Sequence, residues 1–263
     1  MPIGENFMVT FDDIRAFLEA NGIKNDDTVL VHTSMRALGE VEGGCDGLID
    51  AFKSYLSEGL FVVPTHTWAN VGAENPVYDV KSTVPCIGAL PTVAAFRSDG
   101  VRSLHPTHSV AAFGKRAAEF VSGEEKATSP APVGGAWSRL YDEDAKILLL
   151  GVGLKRNTFI HAVDEMIDLE GRLGEPIPIT VIGYEGERYE LSFRKHGKTG
   201  SENFGLYEKA FDTLGVTRKA RLGNADVIIV NARKCTEAVK RIWERASFDF
   251  LIENREIPEE YYL

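Results

Sequence analysis

The stretch that decides the fold is Thr28-Val29-Leu30-Val31-His32, which runs into the polar turn Thr33-Ser34. A short apolar run that ends in a turn is typical of a buried β-strand. A helix is predicted around Leu48–Ser57, and a second apolar strand, Leu60–Pro64, follows it. Strand, helix and strand in this order indicate a mainly parallel sheet with helices on its faces.

The alternation of helices and strands continues on both sides of this unit. Upstream, Thr10–Asn21 predicts an amphipathic helix that begins with a capping box. Downstream, Ile177–Ile182 and Arg188–Phe193 flank a Gly-Tyr-Glu-Gly turn, the signature of a β-hairpin. Further elements are predicted at Gly88–Arg97, Ala145–Leu150, Leu206–Leu214, Ala225–Asn231 and Thr236–Ala246. We expect a single α/β domain over residues 1–263, with three α/β/α layers and a mixed sheet that the second half extends with antiparallel strands.

Composition is that of a cytoplasmic globular protein. Hydrophobic residues make up 44% and charged residues 26% of the 263 residues, which is ordinary for a domain with a sizeable core. The longest apolar runs, such as Asp226–Val230, are far too short to cross a bilayer. The N-terminus lacks the basic and then apolar pattern of a signal peptide. The cysteines are odd in number and form no CxxC pair, which agrees with a reducing compartment. We therefore expect a cytoplasmic protein with no membrane segment.

The net charge narrows the range of partners. Acidic side chains outnumber basic ones by 39 to 29, which gives a formal charge of −10. Nucleic acids require a basic surface, so we expect no nucleic-acid partner. An acidic cleft would attract a cationic ligand, but the same charge also keeps a globular protein in solution. Charge alone does not separate these two interpretations.

Histidines concentrate where the predicted strands end. Five of the six lie at a strand end or in a loop: His32, His66, His105, His108 and His161. Ligands of α/β sheets bind at the carboxyl ends of the strands, so we expect these imidazoles to converge there. The sixth is His196, next to the predicted hairpin; it could reach the same cleft, but we expect a surface residue.

Other kinds of site are less well supported by the sequence. His105 and His108 have HxxH spacing, but the proline between them disfavours the continuous helix of an HExxH zinc motif. We expect no metal. No GxSxG elbow of a serine hydrolase occurs. The chain also contains neither a GxGxxG nor a Walker A sequence, so a nicotinamide enzyme or a nucleotide hydrolase is not expected.

Four blocks of sequence carry a family resemblance: Val31–Gly39, Val62–Thr67, Arg102–Ser109 and Leu149–His161. On these blocks the chain resembles the aminoglycoside 3-N-acetyltransferase family over residues 10–170, and more loosely to about residue 240. The resemblance implies a fold unlike that of the GCN5-related acetyltransferases. It also implies that acetyl passes from acetyl-coenzyme A directly to an amine, without an acetyl-enzyme.

The resemblance assigns catalysis to His161 and Asp164. His161 occupies the histidine of the family's Asn-Thr-x-x-His block, the position of a general base. An amine that attacks a thioester must lose a proton, and an imidazole with an ordinary pKa near 6.5 can accept it when a carboxylate orients the ring. Asp164 and Glu165 follow one helical turn later, within side-chain reach.

The resemblance also places the coenzyme. Thr33, Ser34 and Arg36 are expected to meet its pyrophosphate at a strand-to-helix turn, although Ser34 could equally be an ordinary helix N-cap. The histidine-rich block is expected to line the coenzyme side or to hold the thioester carbonyl, through His105, Thr107, His108 and Ser109. A Thr or Ser hydroxyl or a backbone N–H could stabilise the oxyanion.

On the acceptor side we expect Trp68, Asp79 and Glu165 to contact a small cationic acceptor. Many relatives carry a glutamate shortly after the leucine-proline pair, but this chain has none between Pro91 and Arg97. The acceptor could therefore be the 3-amino group of an aminoglycoside or a different amine-bearing metabolite. A homodimer is also left open.

Overall fold

A seven-stranded mixed sheet forms the centre of the structure, a computed structural model that describes residues 8–263. The strands in chain order are β1 (Thr28–Thr33), β2 (Leu60–Pro64), β3 (Val77–Asp79), β4 (Val101–Arg102), β5 (Val110–Phe113), β6 (Lys146–Leu150), β7 (Leu173–Ile182), β8 (Arg188–His196), β9 (Thr217–Leu222) and β10 (Ala225–Asn231). The order across the large sheet is β4-β5-β2-β1-β6-β10-β9. β1 runs parallel to both β2 and β6, and the strands outside these three pair antiparallel.

Helices cover both faces of this sheet. They are α1 (Phe11–Ala20), α2 (Met35–Leu38), α3 (Gly44–Tyr55), α4 (Ala89–Phe96), α5 (Ala117–Phe120), α6 (Ala136–Asp142), α7 (Phe159–Met166), α8 (Glu208–Thr213), α9 (Ala232–Arg245), α10 (Phe250–Glu253) and α11 (Glu259–Tyr262). Because side chains alternate along a strand, Val29 and Val31 join the core formed with α1, α3 and α4. Leu30 points the other way and joins the core formed with α6, α7 and α9. The predicted three-layer α/β/α class is confirmed.

Local signals in the sequence set the first helix. Thr10 caps α1 by accepting from the Asp13 amide, and the Asp13 carboxylate accepts from the Thr10 amide at 2.9 Å. This is the predicted capping box, which satisfies amides that a helix start leaves without partners. The chain leaves the helix at Gly22, whose φ of +63° suits glycine.

The predicted hairpin forms, but it does not extend the large sheet. β7 and β8 pair antiparallel, and β3 pairs parallel with β7 to give a separate three-stranded sheet of order β3-β7-β8. This sheet has its own small core, which includes Tyr78 and Phe193. The expectation that all antiparallel strands of the second half extend one sheet is therefore wrong for β7 and β8, and correct for β9 and β10.

The C-terminal aromatic residues pack within the chain itself. Tyr261 and Tyr262 are buried in the core beneath α9. No helix in the described part of the chain is long and apolar enough to cross a membrane. The prediction that the chain has no signal peptide depends on its N-terminal residues, and residues 1–7 lie outside the described part of the chain. That the full chain forms a single domain stays a prediction.

Candidate active site

A cavity of about 640 Å³ lies at the carboxyl ends of β1, β2 and β6. Two groups of residues supply much of its lining. The first, called here the strand-end wall, follows from the large sheet and from α7 and consists of His32, Thr33, Pro64, His66, His108 and His161. The second, called the hairpin wall, comes from the end of β8 and the chain after it and consists of His196, Thr199, Ser201, Glu202 and Phe204.

All six histidines of the chain gather around this cavity. The ring centroids of His161 and His196 lie 4.0 Å apart, those of His196 and His108 4.9 Å, and those of His108 and His66 4.6 Å. His105 packs behind His108 at 6.0 Å. His32 joins the group through Trp137, which stacks on it and contacts His66. The predicted convergence of the imidazoles is found, and it includes the one histidine that was expected at the surface.

The pair His161–Asp164 forms where the resemblance predicts it. Both residues lie on α7, and Nδ1 of His161 is 3.7 Å from Oδ2 of Asp164. His161 is 9% exposed and borders the cavity, whereas Asp164 is 1% exposed and lies behind the ring. The carboxylate can therefore orient the imidazole, although 3.7 Å is longer than a hydrogen bond and must shorten for a direct contact.

Burial controls the protonation of this pair. It lowers the pKa of His161 to about 3, with a smaller contribution from the charge of Arg172. It raises the pKa of Asp164 to about 7, against the effect of Arg172, which lowers it. The two groups therefore titrate as a pair, and the ionised form of Asp164 is the one that can stabilise a proton on the ring.

Arg172 lies directly behind Asp164 and is itself 3% exposed. Its Nε is 4.0 Å from Oδ2 of Asp164, and its Nη1 is 2.7 Å from Oδ2 of Asp249. The guanidinium also donates to the carbonyl of Lys198 and lies over the ring of Trp243. One cation thus connects α7, the chain after β8, and α9 and α10.

The block Arg102–Ser109 forms a scaffold in which His108 alone borders the cavity. His105 is fully buried; its Nε2 contacts the Ser129 carbonyl at 2.9 Å, and its Nδ1 accepts from the Thr107 and His108 amides. Hydroxyls of this block are also occupied: Thr107 bonds to His108 Nδ1 at 2.9 Å, and Ser109 donates to the Thr65 carbonyl at 2.7 Å. The predicted contacts of His105, Thr107 and Ser109 with the coenzyme are therefore not provided by this arrangement.

In the turn after β1, one residue lines the cavity and the next makes hydrogen bonds within the fold. Thr33 lines the cavity. The amide of Ser34 donates to the Leu150 carbonyl at 2.9 Å, and its hydroxyl caps α2 by accepting from the Ala37 amide. Ser34 thus has the ordinary N-cap role, and its amide is not available to a pyrophosphate. Arg36 is exposed and does not border the cavity.

Of the three residues predicted to contact the acceptor, one borders the cavity and two make structural hydrogen bonds instead. Trp68 borders the cavity and is 45% exposed. Asp79 instead closes a local turn, where its carboxylate accepts from the Lys81 amide at 2.8 Å. Glu165 points away from His161, accepts from the hydroxyl of Ser129 and the amide of Ala131, and so fastens the 129–131 loop. Neither carboxylate borders the cavity.

A family model for aminoglycoside 3-N-acetyltransferases matches residues 30–244. The chain belongs to this family. It is 28% identical over 245 residues to aminoglycoside N(3)-acetyltransferase VII of Streptomyces paromomycinus, a match that covers 82% of this chain and 85% of the relative. The predictions that the chain is an acyltransferase of this family and has an α/β fold are confirmed.

Solved structures of similar fold include members with ligands. The structure described as AAC-IIIb binary with CoASH superimposes with a TM-score of 0.77 at 20% identity and covers 96% of this chain and 99% of its own. Aminoglycoside acetyltransferase AAC(3)-IVa, solved as a mutant in complex with apramycin, gives a TM-score of 0.73 at 22% identity, with coverage of 92% and 95%. At this identity the agreement concerns the fold.

Several residues of this chain line the cavity although the sequence analysis did not name them as site residues. They are the basic pair Lys155 and Arg156 and the entire hairpin wall. Two adjacent cations directly after a strand-end glycine turn were the available signal for the pair. No such signal marks His196, which lies beyond the predicted end of its strand at Phe193. Among residues 8–263, no group of three or more His, Cys, Asp or Glu has the geometry of a metal site; the expectation that the protein works without metal stays a prediction.

Proposed function

We propose that this protein transfers the acetyl group of acetyl-coenzyme A to the 3-amino group of an aminoglycoside, with His161 as the general base. The observation that carries the proposal is the His161–Asp164 pair: a cavity-facing imidazole with a buried carboxyl group behind it, in a member of this enzyme family. The histidine role rests on this geometry and on the position of His161 in the family motif.

The proposed reaction takes place within one complex of protein, thioester and amine. The unprotonated amine attacks the thioester carbonyl carbon, the C–N bond forms, and the carbonyl π electrons move to oxygen. His161 accepts the proton that the new ammonium nitrogen loses. When the C–S bond breaks, the leaving thiolate takes this proton from the imidazolium. Asp164 holds the ring and stabilises the transient imidazolium, as a buried carboxylate does in other nucleophile–base arrangements.

The coenzyme is assigned to the side of the cavity that carries Lys155 and Arg156. These residues lie in the turn after β6, with Thr33 close by at the end of β1. Two exposed cations are suited to phosphate groups, and an arginine can contact a phosphate through two N–H groups. Of the residues predicted from sequence to bind coenzyme, Thr33 and His108 are retained in the proposal.

A second acceptor class is supported by the charges of the cavity. Glu202 is the one carboxylate among the lining residues, its side chain is 82% exposed, and it lies 3.4 Å from the ammonium of Lys155. With Lys155 and Arg156 also present, the lining does not carry the excess of negative charge that a polycation would favour. An amine with one or two charges is therefore the alternative acceptor.

Thiol release from acetyl-coenzyme A tests the proposal directly. The assay compares aminoglycosides with a free 3-amino group against matched compounds in which that group is absent or acetylated, together with simple mono- and diamines. Release that requires the free 3-amino group supports the aminoglycoside acceptor. Thiol release that occurs only with the small amines supports the alternative acceptor, an amine with one or two charges. If acetyl-coenzyme A binds but no amine in the panel gives release, the proposed function is wrong for these acceptors.

A further inference from the structure

The reaction proposed above needs a hydrogen-bond donor for the thioester oxygen, which gains negative charge as the amine attacks. Removing one such donor typically lowers kcat by about 10²–10³. The hydroxyls of Thr107 and Ser109, which were sequence candidates for this role, are already bonded inside the Arg102–Ser109 scaffold. The amide of Ser34 is bonded to Leu150. The donor must therefore be sought among the cavity-lining residues that carry a buried polar atom with no partner within residues 8–263, which are His32, Thr33, His66, His161 and His196.

His196 meets this condition. It lines the cavity, and both of its ring nitrogens are buried without a hydrogen-bond partner among residues 8–263. Its ring lies against that of His161, with 4.0 Å between the centroids and 35° between the planes. In the tetrahedral intermediate, the nitrogen that gives up its proton and the oxygen that becomes charged are bound to the same carbon. The oxygen donor must therefore lie next to the base, and His196 does.

We propose that His196 is a second catalytic imidazole, which stays neutral and donates an N–H hydrogen bond to the thioester oxygen while His161 accepts the amine proton. This inference rests on the proposed acetyl transfer. His196 gives up no proton in the reaction: its N–H bond to oxygen strengthens as the tetrahedral intermediate forms and weakens again when the C–S bond breaks.

The surroundings of His196 favour the neutral ring. Burial lowers its pKa well below the ordinary value, and His161, His105 and Lys195 lower it further by charge repulsion. His108 faces it edge-on at 4.9 Å from the sheet side. No carboxylate is found within salt-bridge distance of His196 in the described part of the chain, so no partner stabilises a second imidazolium beside His161. A neutral imidazole always keeps one N–H for donation.

The test uses the infrared stretch of acetyl-coenzyme A labelled with ¹³C at the carbonyl and bound to the full protein without acceptor. Binding to the wild type should move this band to lower wavenumber, because a hydrogen bond to oxygen weakens the C=O bond. His196→Phe keeps a flat ring but removes the donor; it should abolish the shift and lower kcat by about 10²-fold, with less than about threefold change in the KM for acetyl-coenzyme A. His196→Gln returns an N–H donor and should recover part of both effects.

Thr33→Val is the competing variant, because Thr33 also lines the cavity and its hydroxyl has no hydrogen-bond partner among residues 8–263. Loss of the band shift in Thr33→Val, with the shift kept in His196→Phe, would overturn the proposal. A wild-type band that does not move on binding would also overturn the proposal. This measurement needs no variant, so it decides the matter even when a variant fails to fold. Turnover by a wild type without a band shift removes the role of His196 and leaves acetyl transfer standing. Absence of turnover with every amine contradicts the proposed function instead.

Discussion

The strand-end wall and the hairpin wall meet in one cavity, but different kinds of structure position them. His32 and Thr33 belong to β1, which is paired along its length with β6 and at its start with β2, and is covered by helices on both faces. His196 lies at the last position of β8, beyond a bulge, and the rest of its wall is in the irregular chain that follows. Rigid elements hold catalytic groups most accurately, and loops accommodate ligand differences more readily. We expect chemistry to depend mainly on the first wall and acceptor choice on the second, with His196 the exception.

The largest effect should come from His161 in the strand-end wall. His161→Ala should lower kcat by about 10²–10⁴-fold, because the amine proton then has no acceptor with a buried carboxyl group behind it, while the KM for acetyl-coenzyme A changes little. Steady-state kinetics, with the thermal midpoint as a folding control, measures both. Turnover within a few-fold of the wild type would remove His161 from the mechanism. It would also contradict the expectation that the chemistry depends mainly on the strand-end wall.

Acid stability should show how strongly the cavity depends on neutral imidazoles. Burial lowers the pKa of all six histidines below the ordinary 6.5, to about 3 for His32 and His161 and about 4 for His105. In the unfolded chain these rings bind protons below about pH 6.5, so stability falls as the pH drops below that value. The carboxyl groups of Asp164 and Glu124, whose folded pKa is about 7, act oppositely because they take up protons in the native state, and the raised pKa of Glu165 acts in the same direction.

Six histidines outweigh these three carboxyl groups, so the net sign is a loss of stability. The free energy of unfolding should decrease between pH 7 and pH 5, by up to about 1.9 kcal/mol for each ring that stays neutral in the folded protein. Urea titrations at several pH values measure it. His105→Asn, which removes one buried ring from the scaffold, should reduce the pH slope between pH 6 and pH 5 by about one proton. A free energy that stays constant over this range would show that the rings gain protons without unfolding.

The third effect concerns Arg172, which connects the two walls. Arg172→Met removes the charge that lowers the pKa of Asp164, so the acid limb of kcat should move to higher pH and kcat at pH 7 should fall by about 10-fold. His161 lies 3.7 Å from Asp164, and the charge of Asp164 also interacts with the titratable groups of Asp249, Glu165, Tyr207 and Cys235. Arg172→Lys keeps the positive charge and should return the acid limb of the kcat profile most of the way to its wild-type pH. A fall in kcat that is the same at every pH would indicate a purely structural role.

The smallest effect should come from Glu202 in the hairpin wall. For a polycationic acceptor, Glu202→Gln should raise the acceptor KM by about two- to fivefold without changing kcat, as expected when an exposed ion contact is lost. Glu208→Gln is the matched control, because that carboxylate pairs with Lys219 and does not line the cavity. An acceptor KM that both substitutions leave unchanged would favour the acceptor of low charge.

Much of the strand-end wall could be predicted because its signals are local. The apolar runs of β1, β2 and β10 fixed their bounds closely, and the histidines at the strand ends had to approach one another once the strands were parallel. The pair on α7 followed from a spacing of three residues. These inferences need only strand pairing and helix periodicity.

The remaining features depend on contacts distant in sequence. Asp79 and Glu165 appeared suited to a cation, but each satisfies nearby backbone amides instead, and a sequence does not show which partner a carboxylate takes. His196 appeared to be a surface residue because it follows the predicted end of its strand at Phe193, whereas the strand continues to His196 and brings the ring against His161. His105 and Ser109 carry a specific family motif, yet they serve the shape of the loop rather than the ligand.

The position of β6 in the sheet has a consequence for how the protein is made. This strand precedes the catalytic helix, and its two neighbours are β1, synthesised long before it, and β10, synthesised long after it. While a ribosome is still making the chain before Ala225, one edge of β6 has no neighbour and can pair with another nascent chain. The large sheet can therefore be completed only when the last part of the chain has left the ribosome, and until then β6 keeps one unpaired edge.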